Sequence, residues 1–294
     1  MTESASTLFS IIIPAFNEAP AITHTLEKLC AAPDLKDAEI IVVDDGSIDD
    51  TAAKVECFSR VQLVRHPVNQ GYGAALVTGM HRATRDYAVW MDADGQHRVE
   101  DVVALTQNLI EHNLDYCVGV RNAASHHEPA RKFGKWVLRQ VVRMAAGRPV
   151  ADFNSGLRGF RLSIIRKYLH LLPKGFGAST TITLILLERC HKGGAIPITV
   201  LPRIGTSSVK QFRDGMRTLT LILRIFLIFK PLHFFGGIGA MMSLSGLGYG
   251  FWSAFTEGLG FPVLGAVVFL AGLQTMFMGL IMDQISAMRR ERFE

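Results

Sequence analysis

The fold is decided by a short stretch at residues 87–97, whose sequence is YAVWMDADGQH. Its first five residues are apolar and predict a buried strand, and the two carboxylates after it stand at positions i and i+2, which project to the same side of an extended chain. The glycine that follows lets the backbone turn, so that Gln96 can return toward Asp92 and Asp94. Hard oxygen ligands of this kind suit Mg²⁺ or Mn²⁺, which can bridge substrate phosphates. The stretch therefore predicts a strand that ends in a divalent-metal site.

The chain on both sides of this stretch alternates between apolar runs and amphipathic segments. The predicted strands are Leu8–Pro14, Glu39–Val43, Val61–Arg65 and Tyr87–Met91, and the predicted helices are Glu18–Leu29, Ser47–Phe58, Gly73–Ala83 and Val99–His112. Ser47 and Asp50 have the spacing of a capping box at the start of the second helix. The alternation predicts an α/β fold with a mostly parallel sheet, in which ligands bind at the carboxyl ends of the strands.

The elements beyond residue 130 are less regular. The sequence predicts a basic helix, a polar loop, two helices and a strand, at Arg131–Ala146, Asp152–Arg161, Ile164–Leu172, Ser179–Cys190 and Ile196–Leu201 respectively.

The composition excludes several classes of protein. The chain has a net charge of +5, but it contains no Lys/Arg run typical of nucleic-acid binding, so we expect no nucleic-acid partner. The charged fraction of 19% lies below the roughly 25% of ordinary soluble chains, which excludes a disordered chain. Residues 71–76 fail the dinucleotide-binding pattern because Leu76 stands in place of the third glycine, and no P-loop motif occurs. The four cysteines form no CxxC pair, and we expect reduced thiols in a cytosolic compartment.

The last third of the chain has the composition of a membrane protein. Four basic residues fall on one stripe of an otherwise apolar helix, namely Lys210, Arg213, Arg217 and Arg224. This pattern favours a helix on the surface of an anionic bilayer, although a core helix with snorkelling arginines is the alternative. His233–Phe255 and Phe261–Met282 contain no charged residue, and each is long enough to cross a hydrocarbon layer of about 30 Å. Basic residues flank the outer ends of this pair, so the positive-inside rule predicts a hairpin of two spans with both ends in the cytoplasm.

Five motifs occur in an order that resembles a known family. They are PAFNE at 14–18, VDDGS at 43–47, NQGYGAA at 69–75, DADGQH at 92–97 and DFNSGLR at 152–158. In this order they resemble the family 2 glycosyltransferases, and within them the dolichyl- and polyprenyl-phosphate sugar transferases of the dolichol-phosphate mannose synthase-like branch. The resemblance covers roughly residues 8–230, and the paired spans match bacterial and archaeal members.

The resemblance implies a GT-A nucleotide-diphospho-sugar fold and a set of site residues. The residues implied to bind the nucleotide sugar are Pro14, Phe16, Glu18, Val43, Asp45, Asp92, Ala93, Arg121, Arg203 and Lys210. Those implied to contact the acceptor phosphate are Arg131, Ser155 and Arg158, and those implied to hold Mg²⁺ or Mn²⁺ are Asp92, Asp94 and Gln96. Asp92, Asp94 and Arg121 are implied to carry the catalysis. Phe16 replaces the more usual tyrosine, and the spacing before Lys210 is one residue longer than in some members.

The implied organisation is a cytosolic GT-A domain at 1–210, an interfacial helix at 211–230 and a transmembrane hairpin at 231–294 of a multi-pass protein of the inner cell membrane. The implied reaction transfers a hexose with inversion from a GDP-mannose or UDP-glucose type donor to a polyprenyl or dolichyl phosphate. Such a phosphate is already an anion and needs no general base, and residues 175–187 carry no Asp or Glu. Membrane lipids and a second copy of the chain are further expected partners. The alternatives are a transferase for a hydroxyl acceptor, a processive synthase and a non-catalytic membrane scaffold; the processive enzyme is disfavoured because no QxxRW motif occurs.

Overall fold

The computed structural model describes residues 9–122, 152, 155–175, 177–204, 230–258 and 260–291, together with positions 140, 143 and 220. The chain divides into two compact units. The first consists of Met1–Lys135 and Ala146–Gln211, and the second of Trp136–Ala145 and Phe212–Glu294.

Seven strands of the described residues form one mixed sheet in the first unit. They are β1 (Phe9–Ala15), β2 (Glu39–Asp44), β3 (Val61–Arg65), β4 (Tyr87–Trp90), β5 (Tyr116–Arg121), β6 (Arg158–Arg161) and β7 (Gly193–Ile198). Their order is β3-β2-β1-β4-β6-β5-β7, and β6 alone among them runs antiparallel to its neighbours. Helices connect the strands, and the predicted α/β class with a mostly parallel sheet is confirmed.

The helices of the first unit are α1 (Ile22–Ala31), α2 (Thr51–Glu56), α3 (Tyr72–Arg82), α4 (Val99–Glu111), α5 (Leu162–Ile165) and α6 (Ala178–Glu188). Short 3₁₀ turns lie at Pro33–Leu35 and Arg166–Leu171. The central strands β1 and β4 are buried along their whole length, as expected for strands covered by helices on both faces. This buried sheet gives the loops at its carboxyl edge a rigid base.

The structure corrects several sequence-based predictions: the first helix begins at Ile22 and not at Glu18, and most of the helix predicted at Ile164–Leu172 is the 3₁₀ turn Arg166–Leu171. The predicted loop Asp152–Arg161 contains β6, which pairs with β4 and β5. The helix predicted from Ser47 begins at Thr51, because the Ser47 hydroxyl accepts from the Asn17 amide instead of capping the helix. The last strand begins at Gly193 and ends at Ile198, three residues before the predicted Leu201.

The second unit contains a helical hairpin of α7 (Pro231–Glu257) and α8 (Val263–Glu291). Among the described helices, only the Val263–Met288 portion of α8, with a mean hydropathy of 2.0, is long and apolar enough to cross a membrane. The helix pair agrees with the predicted hairpin, whereas the crossing of the membrane by α7 and by α8 stays a prediction. Gly239 and Gly246 of α7 face α8, because a Cβ at either position would lie 2.5 Å from a backbone atom of Gly272 or Phe269 respectively.

Arg166 ties the start of the 3₁₀ turn to the end of α3. Its guanidinium donates to the carbonyl oxygens of Met80 and Ala83, at 3.2 and 2.7 Å from Nη2. We expect Arg166→Met to lower the free energy of unfolding of the first unit by roughly 1.5–3 kcal/mol, because the carbonyls at the end of α3 lose their hydrogen bonds from a charged guanidinium. Amide hydrogen exchange of α3 measures this loss. Arg82→Met, an exposed arginine on the same helix, is the control and should change it by less than about 0.5 kcal/mol.

Candidate active site

The loops after β1 and β2 are locked to each other at the carboxyl edge of the sheet. The Asn17 amide donates to the Ser47 hydroxyl at 2.9 Å, and the Ile48 amide donates back to Asn17 Oδ1 at 3.0 Å. The Glu18 amide donates to Thr51 Oγ1 at 2.9 Å. Two of the motifs found in the sequence therefore form one continuous surface.

The two carboxylates after β4 lie at the same edge, and the side chain of Asp92 is 32% exposed whereas Asp94 is buried. Asp94 is only 6% exposed, and burial together with the negative charge of Asp92 raises its pKa. Burial alone would raise the pKa of Asp92 as well, but the neighbouring His97 ring and the Tyr72 hydroxyl hold it below its ordinary value. Two carboxylates that repel each other in a buried site are an arrangement that a bound cation stabilises.

Three groups outside the pair confine the Asp92 carboxylate. The Tyr72 hydroxyl donates to Asp92 Oδ1 at 2.9 Å, and His97 Nε2 lies 3.8 Å from Oδ2. Gly156 packs so closely on the other side that a Cβ there would lie 2.0 Å from Asp92 Oδ2. The orientation of Asp92 is therefore set by α3 and by the loop before β6 as well as by its own strand.

Gln96 is the third residue expected to hold the metal, and its side-chain amide offers one oxygen ligand. Its amide nitrogen donates to the carbonyl of Leu201 at 3.0 Å, so Oε1 is the side-chain atom of Gln96 that a cation could use. Across the described ranges, no three His, Cys, Asp or Glu side chains converge on one point as a complete metal cage. The residues nevertheless fit Mg²⁺ or Mn²⁺, because Mg²⁺ is commonly bound by one or two carboxylates, with water and substrate phosphates filling the remaining positions.

Arg203 is the cation of this acidic cluster. Its guanidinium is hydrogen-bonded to the Glu18 carboxylate, and Nη1 lies 3.9 Å from Asp94 Oδ2. Burial raises the pKa of Glu18 to about 7, the charges of Asp94 and Asp92 act in the same direction, and Arg203 opposes them. The structure thus brings together Glu18, the Asp92–Asp94 pair and Arg203, which come from three distant segments of the sequence.

Asp45, which is expected to bind the nucleotide, has a carboxylate that is already hydrogen-bonded within the protein. Asp45 accepts from His66 Nδ1 at 2.7 Å, from the Gln70 amide at 2.9 Å and from the Gly71 amide at 2.7 Å. These bonds hold the turn before α3, where Gly71 has a φ of +103°. An open depression of about 360 Å³ lies beside Asp45, lined by Gly46, Ser47, Ile48, Arg65, His66 and Pro67. Of the remaining residues expected to bind the nucleotide sugar, Pro14, Val43 and Ala93 are buried, and Phe16 is half-buried.

Arg121, at the end of β5, is held by a partner that the sequence analysis did not identify. Its Nε and Nη2 donate to the two oxygens of Asp152, each at 2.6 Å, and its backbone amide donates to the same carboxylate at 3.2 Å. Burial would raise the pKa of Asp152, but this pairing holds it below its ordinary value. Asp152 is the first residue of the DFNSGLR motif, but no sequence pattern near it predicts that it pairs with Arg121, 31 residues earlier.

Arg158 lies inside the protein. It is 1% exposed, and its guanidinium donates to the carbonyl of Ser155 at 2.7 Å, to Thr183 Oγ1 and to the carbonyl of Asp152 at 3.3 Å. This placement favours a structural role for Arg158 over the expected contact with an acceptor phosphate. Ser155 is also buried, and Arg131 and Lys210 lie outside the described residues.

The pairing of Arg121 with Asp152 leads to a testable effect. We expect Asp152→Asn to lower the turnover number of the sugar transfer that the resemblance implies by about tenfold, because an amide holds the guanidinium less firmly in one geometry. Steady-state kinetics on the full chain measures the change. Asp86→Asn, an exposed aspartate before β4, is the control, and an equal loss in that variant would argue against a positioning role for Asp152.

Comparison with known proteins agrees with the fold and the motifs. Residues 10–170 match the family described as "Glycosyl transferase family 2", and residues 230–288 match the "GtrB C-terminal hairpin". The chain is 27% identical to the undecaprenyl-phosphate 4-deoxy-4-formamido-L-arabinose transferase of Sodalis glossinidius, over 94% of this chain and 87% of that protein. It is 30% identical to the UDP-N-acetylglucosamine–dolichyl-phosphate N-acetylglucosaminyltransferase of Methanococcus voltae, over 67% of this chain and 87% of that protein.

A similar fold occurs in glucosyl-3-phosphoglycerate synthase from Mycobacterium tuberculosis, whose solved complex contains Mn²⁺, UDP-glucose and phosphoglyceric acid. The two structures have a TM-score of 0.60 and 19% sequence identity, over 76% of this chain and 81% of the other. This likeness supports the GT-A fold. The match of the family over more than half of the chain, with its acid pair at the carboxyl end of β4, shows that this chain belongs to glycosyl transferase family 2.

Proposed function

We propose that the protein is a membrane-bound, inverting glycosyltransferase that moves a hexose from a nucleoside diphosphate sugar to a polyprenyl or dolichyl phosphate. The Asp92–Asp94 pair beside Arg203, with Asp94 buried and Asp92 partly exposed, carries this proposal, because paired carboxylates next to a cation suit a metal-bound diphosphate. The names of the two relatives, which act on undecaprenyl and dolichyl phosphate, support the acceptor class. The charge-free stretches of the hairpin support an acceptor that lies in a bilayer.

The metal would be held by Asp92, Asp94 and Gln96. When bound, Mg²⁺ or Mn²⁺ neutralises the charge that develops on the departing diphosphate. Arg121 and Arg203 add fixed positive charge, and Asp152 keeps Arg121 in one orientation. The groups that confine Asp92 supply a pre-organised site, so little reorganisation is needed when charge develops.

The acceptor phosphate acts as the nucleophile without help from a base. An oxygen of the phosphate forms a bond to the anomeric carbon while the bond from that carbon to the donor diphosphate breaks, which releases a nucleoside diphosphate. The first turn of α6, where residues 178–181 read Ala-Ser-Thr-Thr, offers no carboxylate that could accept a proton. Catalysis is then positioning and electrostatics, and a single displacement inverts the anomeric configuration.

The donor is proposed to be of the GDP-mannose or UDP-glucose type. The depression between Gly46–Ile48 and Arg65–Pro67 is the proposed place of the nucleoside, since it adjoins the carboxyl ends of β2 and β3. Because Asp45 already accepts three protein hydrogen bonds, we expect it to shape this depression more than to bind a ribose hydroxyl.

The proposed location is the inner cell membrane, with the catalytic domain in the cytoplasm and α7 and α8 both spanning the bilayer. The interfacial helix proposed at 211–230, which lies almost wholly outside the described residues, would bring the site to the headgroup level. We propose this role for the helix because the phosphate of a lipid acceptor lies at the headgroup level.

The full chain in lipid vesicles provides the test. Labelled GDP- and UDP-sugars are supplied with Mg²⁺ or Mn²⁺, and either a polyprenyl phosphate or the matching polyprenol is added. We expect a cation-dependent glycolipid with the phosphate only, and with inverted anomeric configuration. A product with the polyprenol would favour a transferase for hydroxyl acceptors, and a product that retains the donor configuration would contradict direct displacement.

A further inference from the structure

Arg203 lies against a carboxylate that the proposed activity assigns to a metal ion. Its guanidinium is hydrogen-bonded to the Glu18 carboxylate, and Nη1 lies 3.9 Å from Asp94 Oδ2. Asp94 is also one of the residues expected to hold Mg²⁺ or Mn²⁺. The Asp94 carboxylate therefore has two competing cations, and one of them is built into the chain.

The backbone that carries Arg203 is fixed to the turn that carries the acid pair. The Leu201 amide donates to the carbonyl of Gln96 at 2.9 Å, and the Ile204 amide donates to the carbonyl of Asp94 at 3.2 Å. The Gln96 side chain adds a third bond, to the carbonyl of Leu201 at 3.0 Å. The guanidinium can therefore change partners by rotation of its own side chain, while this backbone keeps it within reach of the site.

The guanidinium of Arg203 is incompletely bonded where it lies. Its Nε is buried, and no hydrogen-bond partner of this atom is found among the residues that the structure describes. The side chain as a whole is 26% exposed, so a ligand can reach it from one side. An unsatisfied buried donor costs free energy, which a partner with several acceptor oxygens would recover. A diphosphate is such a partner, because an arginine fork can bond two of its oxygens at once.

The present position of the guanidinium opposes a divalent cation on Asp94. A metal–oxygen distance of about 2 Å, added to the 3.9 Å between Nη1 and Asp94 Oδ2, puts the two positive centres within roughly 6 Å of each other. The Asp94 side chain is only 9% exposed, so water and salt screen this repulsion little. Arg203 therefore weakens the binding of a free cation, unless an anion arrives that attracts both positive charges.

We propose that Arg203 is an internal counter-ion of the acid cluster, that a divalent cation displaces it, and that the displaced guanidinium binds the diphosphate of the donor. This inference rests on the proposed function, which supplies the metal and the nucleoside diphosphate. A cation alone has to compete with the guanidinium, whereas a cation together with a diphosphate gives the guanidinium new acceptors. Arg203 thus couples the two binding events, and the coupling is reciprocal, so the metal strengthens diphosphate binding by the same factor.

Binding of Mn²⁺ to the full chain in phosphatidylcholine vesicles tests this role without any turnover. The electron paramagnetic resonance signal of free Mn²⁺ gives the dissociation constant, first for Mn²⁺ alone and then in the presence of UDP or of GDP. We expect Arg203→Met to bind Mn²⁺ alone about tenfold more tightly than the wild type, because the competing charge is gone. The factor by which the nucleotide tightens Mn²⁺ binding should fall at least tenfold in the same variant.

Three further variants separate this role from a general effect. Arg203→Lys keeps the positive charge, so its affinity for Mn²⁺ alone should stay within about threefold of the wild type. Arg203→Gln can keep a hydrogen bond to Glu18 without the charge; it should show the same tightening as Arg203→Met and repeats the test if that variant does not fold. Arg85→Met is the matched control, because Arg85 is exposed before β4, at the opposite edge of the sheet, and it should change neither affinity.

The failure of this inference can be told from the failure of the proposed function. If neither nucleotide supports Mn²⁺ binding in the wild type, the proposed metal-bound donor is wrong and the inference fails with it. The other case is a wild type that binds Mn²⁺ with a nucleotide and transfers labelled sugar to polyprenyl phosphate. If Arg203→Met and Arg203→Gln then bind Mn²⁺ alone no more tightly than the wild type, the inference alone is overturned.

Discussion

Asp94→Asn should lower kcat/KM for sugar transfer by about a thousandfold at saturating Mn²⁺, because the substitution removes one of the two carboxylates that would hold the metal. The amide keeps the size of the side chain, so the backbone bond from Gln96 to Asp94 Oδ1, at 3.2 Å, can persist. Calorimetry should show that cation-dependent binding of a nucleoside diphosphate weakens in parallel. The free energy of unfolding should be unchanged or slightly higher, since Asp94 repels Asp92 in the wild-type site.

Asp50→Asn is the matched control for this prediction. Asp50 is exposed beside α2 and makes no side-chain capping bond there, so its variant should transfer sugar at the wild-type rate. If Asp94→Asn keeps transfer within tenfold of wild type, the acid pair does not hold the metal. If the variant also leaves the biological role intact, the results would favour the alternative hypothesis that the protein is a non-catalytic membrane scaffold.

The parts of the fold that could be predicted are those with a strong local signal. β1, β2 and β4 are continuous apolar runs that end in proline or in acidic residues, and each formed within two residues of its predicted bounds. The acid pair could be placed for the same reason, because its position directly after a buried strand fixes it at the carboxyl edge. The sequence order of the motifs then implied which other loops share that edge.

The parts that could not be predicted depend on partners far away in sequence. β6 reads as a turn because Gly156 stands just before it and Gly159 within it. β4 and β5 nevertheless provide pairing on both sides, and Phe160 packs on Trp90 at 4.6 Å between ring centroids. The burial of Arg158 depends in the same way on Thr183. A basic residue next to a glycine looks exposed in sequence, and only the tertiary packing shows that the donors of Arg158 are used internally.

Gly156 is the clearest case of a residue whose importance the sequence did not reveal. Gly156 is not among the site residues that the sequence implies, although it packs against the Asp92 carboxylate from the loop before β6. A methyl group at this position would lie 2.0 Å from Asp92 Oδ2 and 2.7 Å from its Cγ, well inside van der Waals contact. The backbone of Gly156 has no φ in the left-handed region, so the crowding alone decides the outcome of a substitution.

We therefore expect Gly156→Ala to lower the turnover number by about a hundredfold, because the carboxylate must rotate away from the Tyr72 hydroxyl or the loop must retreat, and a misplacement of about 1 Å costs this much. The loss should be accompanied by a weaker apparent affinity for Mn²⁺, which a general loss of stability would not produce. Gly248→Ala is the control, since a Cβ there meets nothing within 4 Å. If Gly156→Ala keeps the wild-type affinity for Mn²⁺ and the wild-type rate, this prediction is wrong. Such a result would show that the Asp92 carboxylate can move without loss of transfer, so its contact with this loop does not matter for the reaction.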